Sequence, residues 1–143
     1  MLPADERALL EEASGAIIAA TDDGRIAFLS RDAEQLLGRT AAASEGLPLG
    51  ALMPPRMRGQ HLAGFGRFQR TGRSHLEGKP VMVPALRGDG VEIEIELQIR
   101  IFRRPDDTHL IVAAAREVTA QEPASRGVLE LEDAFTRRAY MLV

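Results

Sequence analysis

The strongest constraint on this chain is the alternation from Val91 to Ile101. Ile93, Ile95, Leu97, Ile99 and Ile101 fall on one side of an extended segment, and Glu92, Glu94, Glu96, Gln98 and Arg100 on the other. A period of two held over that length specifies a β-strand with one apolar and one wet face. Gly88-Asp89-Gly90 supplies residues that tolerate positive φ in a tight turn. The reading therefore pairs Lys79 to Leu86 antiparallel with Val91 to Ile101. Pro80 and Pro84 each remove a ladder donor, which suits an edge strand or a bulge.

The segment before this hairpin reads as a long amphipathic helix. Pro54-Pro55 opens it, because proline is tolerated in a first helical turn, and Gly72 closes it. Met57, His61, Phe65 and Phe68 recur at i, i+4, i+8 and i+11, a stripe expected to face the sheet. Nearer the N-terminus, Asp5 to Ala13 reads as a short helix. Gly15 to Ala20 and Arg25 to Ser30 read as a hairpin turning at Thr21-Asp22-Asp23-Gly24. Ser30 or Asp32 can cap a helix that buries Ala33, Leu36 and Leu37 and stops at Gly38, with short helical turns filling Thr40 to Leu52. Beyond the central hairpin, Arg103 to Thr108 is a polar loop and His109 to Val118 a strand apolar on both faces. Val128 to Tyr140 is a helix with Val128, Leu131 and Phe135 on one side. The expected fold is α+β: a five-stranded antiparallel sheet, helices on one face, the other face partly open, and a C-terminal helix.

Composition removes several function classes. A chain of 143 residues with 45% hydrophobic content suits one domain. A formal charge of -3 argues against nucleic acid as a partner, and the cluster Arg56, Arg58, Arg67, Arg70 and Arg73 reads as a solvated helix face. Cysteine is absent, which removes disulfides, thiolate metal sites and cysteinyl photochemistry. No apolar run approaches a membrane span, and MLPADERALLEEA is acidic where a signal peptide is basic, so the expected location is cytoplasmic. No nucleophile–base pair, phosphate loop or metal-ligand cluster is visible, and the expectation is a protein that is not an enzyme.

Several pieces recur together in a known family: Asp22-Asp-Gly-Arg-Ile, Ala33-Glu-Gln-Leu-Leu-Gly38, Leu52-Met-Pro, Arg58 to His61, Thr71-Gly72, Arg87-Gly-Asp-Gly90 with the Glu/Ile strand, and Arg116-Glu-Val-Thr119. In order and spacing they resemble a PAS domain, the bacterial sensory module, over about 15–119. The flanks would then be an N-terminal helix over 1–14 and a linker with a helix over 120–143. Two positions depart from the family pattern: Ser30 stands where Asn is usual, and Glu117 where Asp is usual. The resemblance implies sensing of a small molecule or partner, relayed by dimer rearrangement to a signalling output. The chain would be either excised from a larger protein or a free-standing adaptor.

Met57, His61, Phe65, Phe68, Met82 and Ile95 are the candidate lining of an apolar ligand pocket, with a filled core as the alternative. The neighbourhood of His61 also resembles the oxygen-sensing heme branch. That likeness implies His61 as iron ligand and Arg67 and His75 as partners of the propionates. Heme therefore stays open as a cofactor, although the arginine facing bound oxygen in that branch corresponds here to Val81. Flavin is disfavoured, because the chain has no Trp or Cys and one Tyr. A homodimer is expected through apolar stripes in Leu2 to Ala13 and Val128 to Leu142.

Overall fold

The structure, a computed structural model, describes residues 2–118, Leu131 and 141–142. In chain order its elements are α1 (Ala4–Glu12), β1 (Ala16–Ala20), β2 (Ile26–Leu29), α2 (Arg31–Leu37), α3 (Ala41–Ser44), a 3-10 turn (Leu49–Leu52), α4 (Pro55–Thr71), β3 (Val81–Leu86), β4 (Glu92–Arg103), β5 (His109–Glu117) and β6 (Met141–Leu142). The antiparallel sheet runs β2-β1-β5-β4-β3. β6 adds to β4 beyond the end of β3, pairing Phe102 with Leu142 and Arg103 with Met141. Between the two, Gly78 donates to the Ile99 carbonyl and Ile101 donates to Glu77 Oε2, so the loop after α4 covers the remaining edge of β4. The helix expected over Val128 to Tyr140 lies outside the described residues except for Leu131, which is helical and buried.

Local chemistry explains the boundaries. Ser30 Oγ accepts from Ala33 N as the N-cap of α2, accepts from Ile17 N, and donates to the Gly15 carbonyl. Gly38 and Gly72 close α2 and α4 with φ of 60° and 72°, the left-handed region that glycine enters without strain. In the β3–β4 turn the two glycines have different reasons. Gly90 takes φ of 87°. Gly88 is needed for space: its N–H donates to the Leu37 carbonyl, and an added Cβ would sit 2.1 Å from the Gly38 carbonyl oxygen. The hairpin is thereby pressed against the end of α2, and Arg39 locks the contact by donating to the carbonyls of Leu86 and Ala51.

The sheet is buried on both faces over β1 and β2, while the outer face stays partly open, as expected, over β3 and the start of β4. The inner cluster joins Ile18, Ile26, Leu29, Ala33, Leu37, Leu52, Ala85, Ile95 and Ala115. The outer cluster joins Leu2 and Leu10 to Ile17, Ala19, Phe28, Phe102, Leu110, Val112 and Leu131. All residues of β1 and β2 are buried. The reason is α1, which lies on the outer face instead of projecting away. Glu6, fully buried, holds it there through a two-pronged ion pair with Arg104 at 2.7 and 2.9 Å. The apolar side of α1 that suggested a dimer surface is thus covered within the chain. On the far strands the wet face persists: Glu92 pairs with Arg56, Glu96 pairs with Arg116, and Glu94 is exposed.

Candidate functional site

Helix α4 presents few residues to the core. Of its 17 residues only Phe68 is buried, while Met57, His61 and Phe65 are half-buried. The helix is also intrinsically weak. Gly59, Gly64 and Gly66 each cost about 1 kcal/mol relative to alanine in a helix interior. A Cβ at Gly59 would meet nothing within 4 Å, and at Gly64 and Gly66 only arginines of the same helix. No tertiary contact requires these glycines.

Between α4, the β1–β2 turn and the 3-10 turn lies a groove of about 520 Å³. Arg58, His61, Leu62, Phe65, Gly66 and Gln69 form one wall, and Asp23, Gly24, Pro48, Gly50 and Ala51 the other. Phe65 stands over Gly24, whose φ of 77° and missing Cβ make room for the ring: a Cβ there would be 3.4 Å from Phe65 Cε1. Leu62 is 69% exposed, a large apolar side chain on the rim. Arg58 Nε donates to the Gly50 carbonyl at 2.8 Å and Nη2 to the Met53 carbonyl at 3.2 Å, which fixes the guanidinium.

Four rings leave the groove in series. His61 and Phe65 are 5.7 Å apart between centroids, Phe65 and Phe68 5.3 Å, and Phe68 and His109 5.3 Å, the last two edge-on. His109 opens β5 and is clamped by one carboxylate: its N–H donates to Asp22 Oδ2 at 2.7 Å, and its Nδ1 lies 2.8 Å from Asp22 Oδ1. Gln69 donates to the Asp22 carbonyl, so α4, the β1–β2 turn and β5 meet at this residue.

The sequence-derived candidates divide on this geometry. His61 and Phe65 share the groove, Phe68 and Ile95 are buried, and Met57 is half-buried on α4 outside the groove lining. Met82 pairs with Glu96 while Val83 pairs with Ile95, so Met82 projects from the opposite side of the sheet and is 49% exposed. Arg67 and His75 are exposed and line no part of the groove. His61 is therefore not brought together with the two residues that would hold heme propionates, and no step is assigned to heme. The guanidinium inside the groove is that of Arg58, which the stripe at i, i+4, i+8 and i+11 passes over.

Burial holds the His61 imidazole below its ordinary pKa of 6.5, favouring the neutral form. In the pH window below 6.5 the unfolded chain binds a proton that the folded chain resists, so this residue makes stability fall as pH falls. The contribution is absent above that window. His61→Gln is expected to flatten the difference in denaturation midpoint between about pH 5 and about pH 7.5, as measured by chemical denaturation.

No family model matches the sequence. A protein of Azorhizobium caulinodans described as uncharacterized is 31% identical over 134 residues, which cover 93% of this chain and 18% of that protein. Solved structures align over most of the chain. The PAS domain of a Colwellia psychrerythraea protein superposes with a TM-score of 0.61 at 18% identity, over 82% of this chain and 98% of its own. The Rhodobacter sphaeroides LOV protein gives 0.62 at 16% identity, over 78% and 64%. Drosophila melanogaster Cycle PAS-B with bound ethylene glycol gives 0.56 at 13%, over 71% and 98%. With the strand order β2-β1-β5-β4-β3 and the helices set between β2 and β3, these superpositions show that the chain has the PAS fold.

Proposed function

We propose that this chain is a sensory module of signal transduction, not an enzyme, that takes a small apolar molecule in the groove beside α4. In this reading occupancy shifts α4, and the shift passes through Phe65 and Phe68 to His109 and β5. From there it reaches the segment after β5 and a signalling output, through rearrangement of a homodimer in the cytoplasm. The observation that carries the reading is the ring series, which joins the groove to the start of β5 through one tilted and two edge-on contacts. Its support is physical: α4 is thinly packed and glycine-weakened, so modest binding energy can change its position. The PAS and LOV likenesses favour a sensory role over a purely structural dimerisation domain.

Indole, a neutral apolar probe, tests it by amide chemical-shift mapping. Titration is expected to move resonances of the groove residues and also those of His109 to Glu117. Phe68→Leu is expected to keep the first set and remove the second. Shifts that stay in the groove of the unaltered chain, with β5 silent, overturn the relay.

A further inference from the structure

We propose that the groove beside α4 selects an aromatic monocarboxylate, with Arg58 receiving the carboxylate and the ring seated along His61, Leu62 and Phe65. This rests on the groove being the ligand site of the sensory reading.

The argument starts from charge. Between positions 46 and 76 the chain has five arginines and no acid, although the whole chain carries a formal charge of -3. Four of the five stand outside the groove, and Arg56 is already engaged by Glu92. Arg58 is the cation inside it, and among the described residues no carboxylate pairs with it. The groove's own carboxylate, Asp23, is bonded to the Thr21 hydroxyl and lies 3.9 Å from Arg25. A guanidinium keeps its charge at any working pH. It is therefore fixed, charged and without a counterion in its own site.

Donor counting sets the ligand's charge. Arginine has five N–H donors. Nε and one N–H of Nη2 are directed at the Gly50 and Met53 carbonyls, which leaves the Nη1 pair and the second N–H of Nη2 for a guest. One planar anion with two oxygens matches those donors, and a multiply charged phosphate would find no second cation in the lining. His61 adds no charge at neutral pH, because burial keeps its imidazole neutral.

Spacing sets the ligand's shape. At a rise of about 1.5 Å per residue, His61 lies about 4.5 Å and Phe65 about 10 Å along the axis from Arg58. A single ring joined to its carboxylate by a short linker spans that interval. Leu62 and Phe65 give it an apolar wall.

The test compares 3-phenylpropionate with its neutral amide, 3-phenylpropanamide, by isothermal calorimetry on the full chain. The carboxylate is expected to bind about tenfold more tightly or better. Leu62→Glu is the decisive variant, because position 62 is one turn from Arg58 and its side chain is already exposed, so an internal carboxylate can occupy the guanidinium without disturbing the core. It is expected to lower the affinity for the carboxylate about tenfold more than that for the amide, which loses only the apolar contact of Leu62, and to leave the thermal midpoint in place. Equal affinity for the two probes overturns the carboxylate class and leaves the groove as a neutral-ligand site. A loss in Leu62→Glu that is equal for the two probes, or no loss for the carboxylate, overturns the role of Arg58. Absence of binding by both probes at millimolar concentration overturns the class and the groove together.

Discussion

Ile95→Glu is expected to unfold the domain, at a cost above about 4 kcal/mol, whereas Glu94→Lys one residue away is expected to cost well under about 1 kcal/mol. Ile95 is 3% exposed in the inner cluster, between Val83 of β3 and Glu117 of β5 in register. A glutamate there has no cation within the cluster that surrounds it, so it must either stay charged in an apolar site or be protonated at neutral pH. Both routes are expensive against a net stability of about 5–15 kcal/mol. Glu94 points to the other face and is exposed, so reversing its charge disturbs only neighbours in water. Urea denaturation of the two variants makes the comparison. Similar losses would mean that the alternation in β4 does not separate a buried from a wet face.

That alternation was legible because a strand's period of two reports burial directly. Gly38 and Gly72 were likewise legible as helix ends, and Ser30 as one of two caps offered with Asp32. The expected pairing of β3 with β4 was also correct, with Pro84 on the edge strand. Other features depend on contacts between distant residues and leave no local periodic trace. Glu6 and Arg104 are 98 positions apart, and neither looks unlike an ordinary surface charge in sequence. The two-residue β6 is too short to show a period. Gly88 looked like a turn glycine but is required by the close approach of Gly38, a packing fact.

The site was legible in part for a different reason. Hydrophobic spacing located α4 and its ring series, yet it could not fix the rotation of a helix held mostly at its ends. His61 and Phe65 consequently line a groove against the β1–β2 turn and the 3-10 turn, and only Phe68 reaches the buried core. Met82 was grouped with Ile95 by apolarity alone. Counting from the turn residues would have set it opposite Glu96. Arg58 was read with its neighbours as part of a solvated basic face, because the carbonyls that turn it inward belong to the 3-10 turn and the residue after it.

Breaking the Glu6–Arg104 pair is the second large effect, and it concerns how α1 is held. Glu6→Ala is expected to cost about 3–5 kcal/mol, because it leaves the Arg104 guanidinium in a largely buried position without its carboxylate. The Glu6 side chain is 1% exposed and that of Arg104 15%. Arg104 retains the Thr108 hydroxyl and the His109 carbonyl as acceptors, which places the cost toward the lower end of that range. Because His109 also begins β5 and is clamped by Asp22, the loss is expected to loosen the β4–β5 hairpin as well as α1. Hydrogen exchange is then expected to rise in Ala4–Glu12 and in the amides near Thr108. Glu92→Ala, which breaks the solvent-exposed pair with Arg56, is the matched control and is expected to leave the denaturation midpoint nearly unchanged. A double-mutant cycle with Glu6→Ala and Arg104→Ala isolates the coupling between them. A coupling as small as that of an exposed pair would mean that α1 is held on the sheet by its apolar contacts and by Arg7, with the buried charges contributing little.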